Sequence, residues 1–147
     1  MEHQVTLRDV AARPTAVVAA TTTWQEFPKL WGQLLGEVWD CLRAGGIQRG
    51  CPNVMLYRDD VPNVEVGVQV TGTFEPSGRV VPSVLPAGAV ATAVHRGPYE
   101  ALEEAHVAIK AWCLSHRHAL TGVRWEVYGD WTADPAELET TVSYLLA

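Results

Sequence analysis

Cysteine is scarce and unpatterned in this sequence. Cys41, Cys51 and Cys113 are an odd number with no CxxC spacing, so neither a disulfide framework nor a zinc site is indicated, and the three read as buried or half-buried thiols. Positive charge is also short: 11 Lys and Arg stand against 17 Asp and Glu, a formal net charge of −6. The basic residues are scattered, with only Arg117-His118 and Arg79 near anything resembling a patch, which argues against direct nucleic-acid binding. No apolar run approaches the roughly 20 residues needed to cross a bilayer. The N-terminus lacks the basic start and apolar run of a secretory signal, so no membrane association and a cytoplasmic location are expected. Gly-x-Ser-x-Gly, a phosphate loop and a Cys/His nucleophile pair are all missing. No histidine stands at metal-ligand spacing from His106, so no metal and no cofactor are expected.

What is present is one domain's worth of amphipathic pattern. The 147 residues, 48% apolar and 19% charged, are read as a single domain, 1–147, around one core. Val5 to Val10 and Thr15 to Thr22 read as extended, separated by Pro14. Thr23 and Glu26 form a Thr-x-x-Glu capping box that predicts a helix from near Trp24. Phe27, Leu30, Trp31, Leu34, Leu35, Val38, Trp39 and Leu42 recur at three and four until Gly45-Gly46 stop it. A loop through Gly50-Cys51-Pro52 leads to a strand over Asn53–Tyr57. Val64, Val66, Val68 and Val70 then mark a half-buried antiparallel strand.

The second half repeats the order. A strand over Arg79–Leu85 is expected to pair with its successor, Ala89–Arg96, across Pro86-Ala87-Gly88. Gly97-Pro98 opens a second helix with Leu102, His106, Ile109 and Cys113 on its apolar face, ending near His116 to His118. Strands at Arg124–Asp130 and Glu139–Leu146 follow. The expected fold is α+β: a duplicated β-α-β-β module, repeating roughly over 1–75 and 76–147, with two long helices on one face of an antiparallel sheet and a ligand groove between them.

The misfit in this pattern is Glu126. In Arg124-Trp125-Glu126-Val127-Tyr128-Gly129-Asp130, alternation puts Glu126 and Tyr128 on one face and Trp125 and Val127 on the other. Both faces carry large apolar or aromatic groups, so the strand reads as buried on both sides and its carboxylate as one that needs a partner. Laying one half on the other sets Met55-Leu56-Tyr57 on Glu126-Val127-Tyr128. The groove floor therefore carries Met55 from one half and Glu126 from the other. Trp31, Trp39 and Trp112 are candidate walls; Tyr57, Val68 and Tyr144 are further floor or wall candidates. Trp24 and Trp131, at element ends, read as rim residues. His106 reads as a hydrogen-bonded core histidine, and His116 and His118 as complements to a helix dipole.

Four segments together carry a family resemblance: His95-Arg96-Gly97-Pro98-Tyr99, Leu30-Trp31, Trp125-Glu126-Val127-Tyr128 and Asp134-Pro135-Ala136-Glu137-Leu138. In that order they resemble the GyrI-like small-molecule-binding domain, the effector-binding domain of bacterial multidrug-responsive regulators, over nearly the whole chain. The resemblance implies a duplicated fold and a groove for aromatic, often cationic, drugs with a glutamate, here Glu126, at its base. No residues remain for a helix-turn-helix, so a stand-alone member is expected. Two functions compete. One is binding, for sequestration or sensing, of hydrophobic cationic aromatics, with Glu126 as counter-charge. The other is hydrolysis of cyclopropanoid or similarly strained electrophiles, with Glu126 and Tyr128 catalytic. A weaker third is a gyrase-inhibitor-like protein partner. An exposed edge strand also offers a route to a homodimer.

Overall fold

The computed structural model describes residues 3–47 and 51–147; Gly50, placed in the loop before the third strand, lies outside them. Among the described residues eight strands and two α-helices follow one another as β1 (Thr6–Val10), β2 (Arg13–Thr21), α1 (Phe27–Ala44), β3 (Asn53–Tyr57), β4 (Asn63–Gln69), β5 (Val81–Leu85), β6 (Gly88–Arg96), α2 (Leu102–Ser115), β7 (Leu120–Tyr128) and β8 (Glu139–Leu146). Single 3₁₀ turns at Tyr99–Ala101 and Pro135–Glu137 precede α2 and β8. The strands form one sheet in the order β1-β6-β8-β7-β3-β4-β2-β5, with every pairing antiparallel.

Helix α1 begins three residues later than the capping box predicts. Only half of that box forms: the Glu26 N–H donates to Thr23 Oγ1 at 3.1 Å, within a turn that precedes the helix. Pro28 then occupies the first helical turn, where its missing N–H costs nothing. Gly45 caps the far end and Gly46 follows at φ 88°, a conformation open to glycine. Phe27, Leu34, Val38 and Leu42 form the helix's buried stripe.

The sheet is strongly curled, and the connections show why. β5 and β6 are joined by two residues, yet they stand six steps apart in the sheet. At about 4.8 Å per step a flat sheet would separate them by about 29 Å, whereas three residues of chain reach only about 11 Å. The same arithmetic applies to β1 and β2. The expected β5–β6 hairpin is therefore not formed: β5 pairs with β2, from Arg13↔Leu85 to Val17↔Val81, and β6 pairs with β1 and β8. Curling closes the face away from the helices over a core of Val54, Leu56, Leu85, Val90 and Trp125. It also explains why β4, expected half-buried, is buried on both faces.

On the other face α1 lies over β2 and β4, and α2 lies over β6 and β8. The central pair, β3 and β7, runs between the two helices. In the register Met55↔Glu126 and Tyr57↔Arg124 the paired side chains emerge there together. No helix among the described residues is long and apolar enough to cross a membrane.

The curl brings β2 and β4 into close contact at Gly67. A Cβ added there would collide with the carbonyl oxygen of Ala16 and come within 2.8 Å of Val17 Cα. Backbone on both sides leaves no flexible neighbour to give way. Gly67→Ala is expected to destabilise the fold by about 1–3 kcal/mol, lowering the melting temperature by roughly 2–12 °C in a domain of this size. An unchanged thermal transition would mean that the close approach is not a constraint.

Candidate functional site

Glu126 is 4% exposed and sits near the middle of the sheet. Three donors surround its carboxylate. Tyr57 from β3 donates to Oε1 at 3.0 Å, and Tyr128, two residues along β7, donates to the same oxygen at 2.7 Å. On the other side His106 Nε2 of α2 lies 2.6 Å from Oε2. The opposite ring nitrogen, Nδ1, stands 2.7 Å from the hydroxyl of Tyr144 on β8. Met55 Sδ rests against both phenols, at 3.8 and 3.6 Å. A buried carboxylate without partners would be costly; here three elements, β3, β7 and α2, supply them, and β8 holds the histidine through Tyr144.

The phenols are held as neutral donors. Burial pushes the Tyr57 and Tyr128 pKa values far above the ordinary tyrosine range, with the adjacent Glu126 charge acting in the same direction. Burial also raises that of Tyr144, against the pull of Arg124.

Over this floor opens a groove of about 620 Å³ between the helices. Its walls include Phe27, Trp31 and Leu35 from α1, Tyr99 and Leu102 at the mouth of α2, and Trp131 beyond β7. Tyr99 and Tyr128 stack at 5.5 Å. The entry of Tyr99 is set by His95, whose Nε2 lies 3.0 Å from the Pro98 carbonyl oxygen and whose Nδ1 lies 2.9 Å from His3 Nε2. At the opposite end, Arg124 covers the rings of Trp24 and Tyr57 at 5.5 and 5.4 Å. It is held by Asp60 at 2.9 Å and by the carbonyls of Asp59 and Gly122. A second, smaller cavity of about 290 Å³ lies on that side and shares Trp24, Tyr57, Glu103, His106 and Glu126 with the groove.

Of the residues expected at the site, Glu126, Tyr128, Met55, Tyr57 and Trp31 line the groove, and Tyr144 lines the smaller cavity. Trp39, Trp112 and Val68 lie outside both linings. Trp39 packs on the α1 core and donates Nε1–H to Asn53 Oδ1 at 2.9 Å. Trp112 is stacked with His116 and His118 at the end of α2, with ring centres 4.1 and 5.5 Å away. Val68 is fully buried beneath α1. Trp24 and Trp131 are at the groove and largely exposed, the latter 76%. His106 is buried and hydrogen-bonded as read, but its partner is Glu126. Its place on the same helical face as Leu102 and Ile109 was the available signal. Among the described residues no group of three or more His, Cys, Asp and Glu is arranged to hold a metal ion.

The raised phenol pKa values link the site to stability. A tyrosine whose folded pKa exceeds its unfolded value of about 10 binds more protons folded than unfolded above that pH. Its contribution is complete below pH 10 and is lost as the pH climbs, at up to about 1.4 kcal/mol per pH unit for each group. Denaturant titrations should show stability falling above about pH 10, and Tyr57→Phe should have a shallower fall. Absorbance titration should show Tyr57, Tyr128 and Tyr144 ionising only as the fold is lost; ionisation of all tyrosines near pH 10 in the folded protein would contradict the burial.

Solved structures share this architecture. The EcmrR C-terminal domain superposes with a TM-score of 0.78 at 21% identity, covering 100% of this chain and 99% of that one. In the EcmrR–DNA complex the match is 0.76 at 21% identity, over 98% of this chain and 57% of that one. SAV2435 bound to tetraphenylphosphonium matches at 0.69 and 16% identity, over 100% and 94% of the two chains. Curated proteins give no match. The family model for the GyrI-like small molecule binding domain matches residues 3–144, and the chain belongs to that family.

Proposed function

We propose that this protein binds lipophilic, aromatic, cationic compounds in the groove, with Glu126 as their counter-charge and Tyr99, Tyr128 and Trp31 as stacking surfaces. The observation that carries this reading is the make-up of the lining. Glu100, Glu103 and Glu126 face the groove, and among the described residues it has no Lys or Arg. Two of the three donors on Glu126 are phenols, which satisfy its oxygens without cancelling its charge. An organic cation supplies the missing charge and gains about 0.5–2 kcal/mol per good cation–π contact. That SAV2435, of the same fold, is bound to tetraphenylphosphonium supports the same ligand class here.

The sheet order supports a duplicated β-α-β-β module. The run β2-α1-β3-β4 and the run β6-α2-β7-β8 lie on either side of the β3–β7 pairing, each with its helix on the same face. Two such units placed side by side leave a groove at their junction. Hydrolysis asks more of Glu126, because a general base must offer a lone pair to a water. With two phenols on one oxygen and an imidazole on the other, the carboxylate is better arranged as a fixed charge than as a proton acceptor.

The test pairs tetraphenylphosphonium with neutral triphenylphosphine oxide, each titrated by tryptophan fluorescence. Glu126→Gln should weaken the cation at least about tenfold, equivalent to about 1.4 kcal/mol, and change the neutral compound by less than about twofold. Equal losses for both would reject Glu126 as counter-charge.

A further inference from the structure

The two cavities that meet at Glu126 differ in charge. Glu103 and Glu126 belong to both linings; the groove adds Glu100 and no Lys or Arg, while the smaller cavity beyond Tyr57 adds Asp60, Arg124 and Lys110, so its far end is the more positive of the two. Arg124 is nearly buried and already shares Asp60. Lys110, one turn after His106 on α2, is exposed and forms no ion pair among the described residues. Arg124 also covers the Trp24 and Tyr57 rings that face this side, so those π surfaces already hold a cation. A ligand's positive centre is therefore directed toward the Tyr99–Tyr128 stack and Glu126, and repelled from the end where Arg124 and Lys110 stand.

We propose that the smaller cavity is a second subsite that takes an anionic arm, and that the preferred ligands are zwitterions: planar aromatic cations carrying a carboxylate or similar acid. The cationic ring system lies in the groove over Glu126, and the acid reaches past His106 and Tyr144 toward Lys110. The distinction matters because a purely cationic compound leaves the Lys110 end unused, whereas a zwitterion matches both of the adjoining cavities. This inference rests on the cation-binding reading above and refines its ligand class.

Rhodamine 6G and rhodamine 19 share the same xanthene cation; the first carries an ethyl ester where the second carries the free carboxylate. Both are titrated against the intact protein at neutral pH and low salt by fluorescence anisotropy. The acid is expected to bind at least about threefold tighter, the scale of one exposed charge pair, and the margin should shrink as salt screens it. Because Lys110 is exposed, Lys110→Glu should fold normally, remove or reverse the margin, and leave the ester within about twofold. Glu126→Gln should weaken both dyes. Equal affinity for the two dyes in the native protein, or equal effects of Lys110→Glu on both, would overturn the second subsite while leaving cation binding intact. Failure of either dye to saturate the protein would remove the cation-binding reading and the subsite with it.

Discussion

The site depends on solvating one carboxylate away from bulk water. Glu126 takes its hydrogen bonds from Tyr57, Tyr128 and His106, and His106 is held in turn by Tyr144. These residues come from β3, β7, α2 and β8, separated in sequence by as much as 87 positions between Tyr57 and Tyr144. Each donor left without its acceptor would cost about 1–3 kcal/mol. The carboxylate therefore fixes more than its own surroundings. It ties the rotation of α2 to the register of the sheet, because His106 meets Oε2 only if the helix turns that face downward. A slip of one residue between β3 and β7 would send Tyr57 to the opposite face.

The groove exists because the helices leave the central strands uncovered. α1 spends its apolar stripe on β2 and β4, and α2 spends its own on β6 and β8. The sheet beneath remains firm because its far side is closed. Curling brings the outer strands around Trp125, which is 1% exposed and points away from the groove one residue before Glu126. Alternation along β7 thus joins two roles: one face anchors the strand in a packed core, and the other presents the charge.

Much of this is legible in the sequence. Periodicity of three and four identifies both helices, and period two identifies the strands, because each pattern follows from burying one side of a regular element. Glu126 is legible as an acid amid aromatic neighbours on a strand with two apolar faces. The rest depended on distant contacts. A two-residue link between β5 and β6 suggests a hairpin locally, and only the curl of the whole sheet sends β5 to β2. Trp39 and Trp112 occupy helical positions that are compatible with a wall, but their azimuths turn them toward Asn53 and toward His116 and His118. The pairing of His106 with Glu126 spans 20 residues and two kinds of element, so periodicity places each of them on a buried face without joining them.

A second buried glutamate in the same sheet shows what distinguishes the first. Glu65, on β4, is 6% exposed and belongs to the face closed by the curl, opposite Leu56 in the β3–β4 register. Its carboxylate is paired with the Arg58 guanidinium and accepts a hydrogen bond from Ser83 at 2.6 Å. That charge is cancelled within the protein, and Glu65 has nothing left to offer a ligand. At Glu126 the same requirement for hydrogen bonds is met largely by phenols, which carry no charge and which burial keeps from ionising. Both acids are satisfied as hydrogen-bond acceptors, but they differ as charges. An Arg in place of Tyr57, the last residue of β3, would pair with the carboxylate and close the site electrostatically. Using tyrosine there keeps the carboxylate in place without pairing it to a guanidinium.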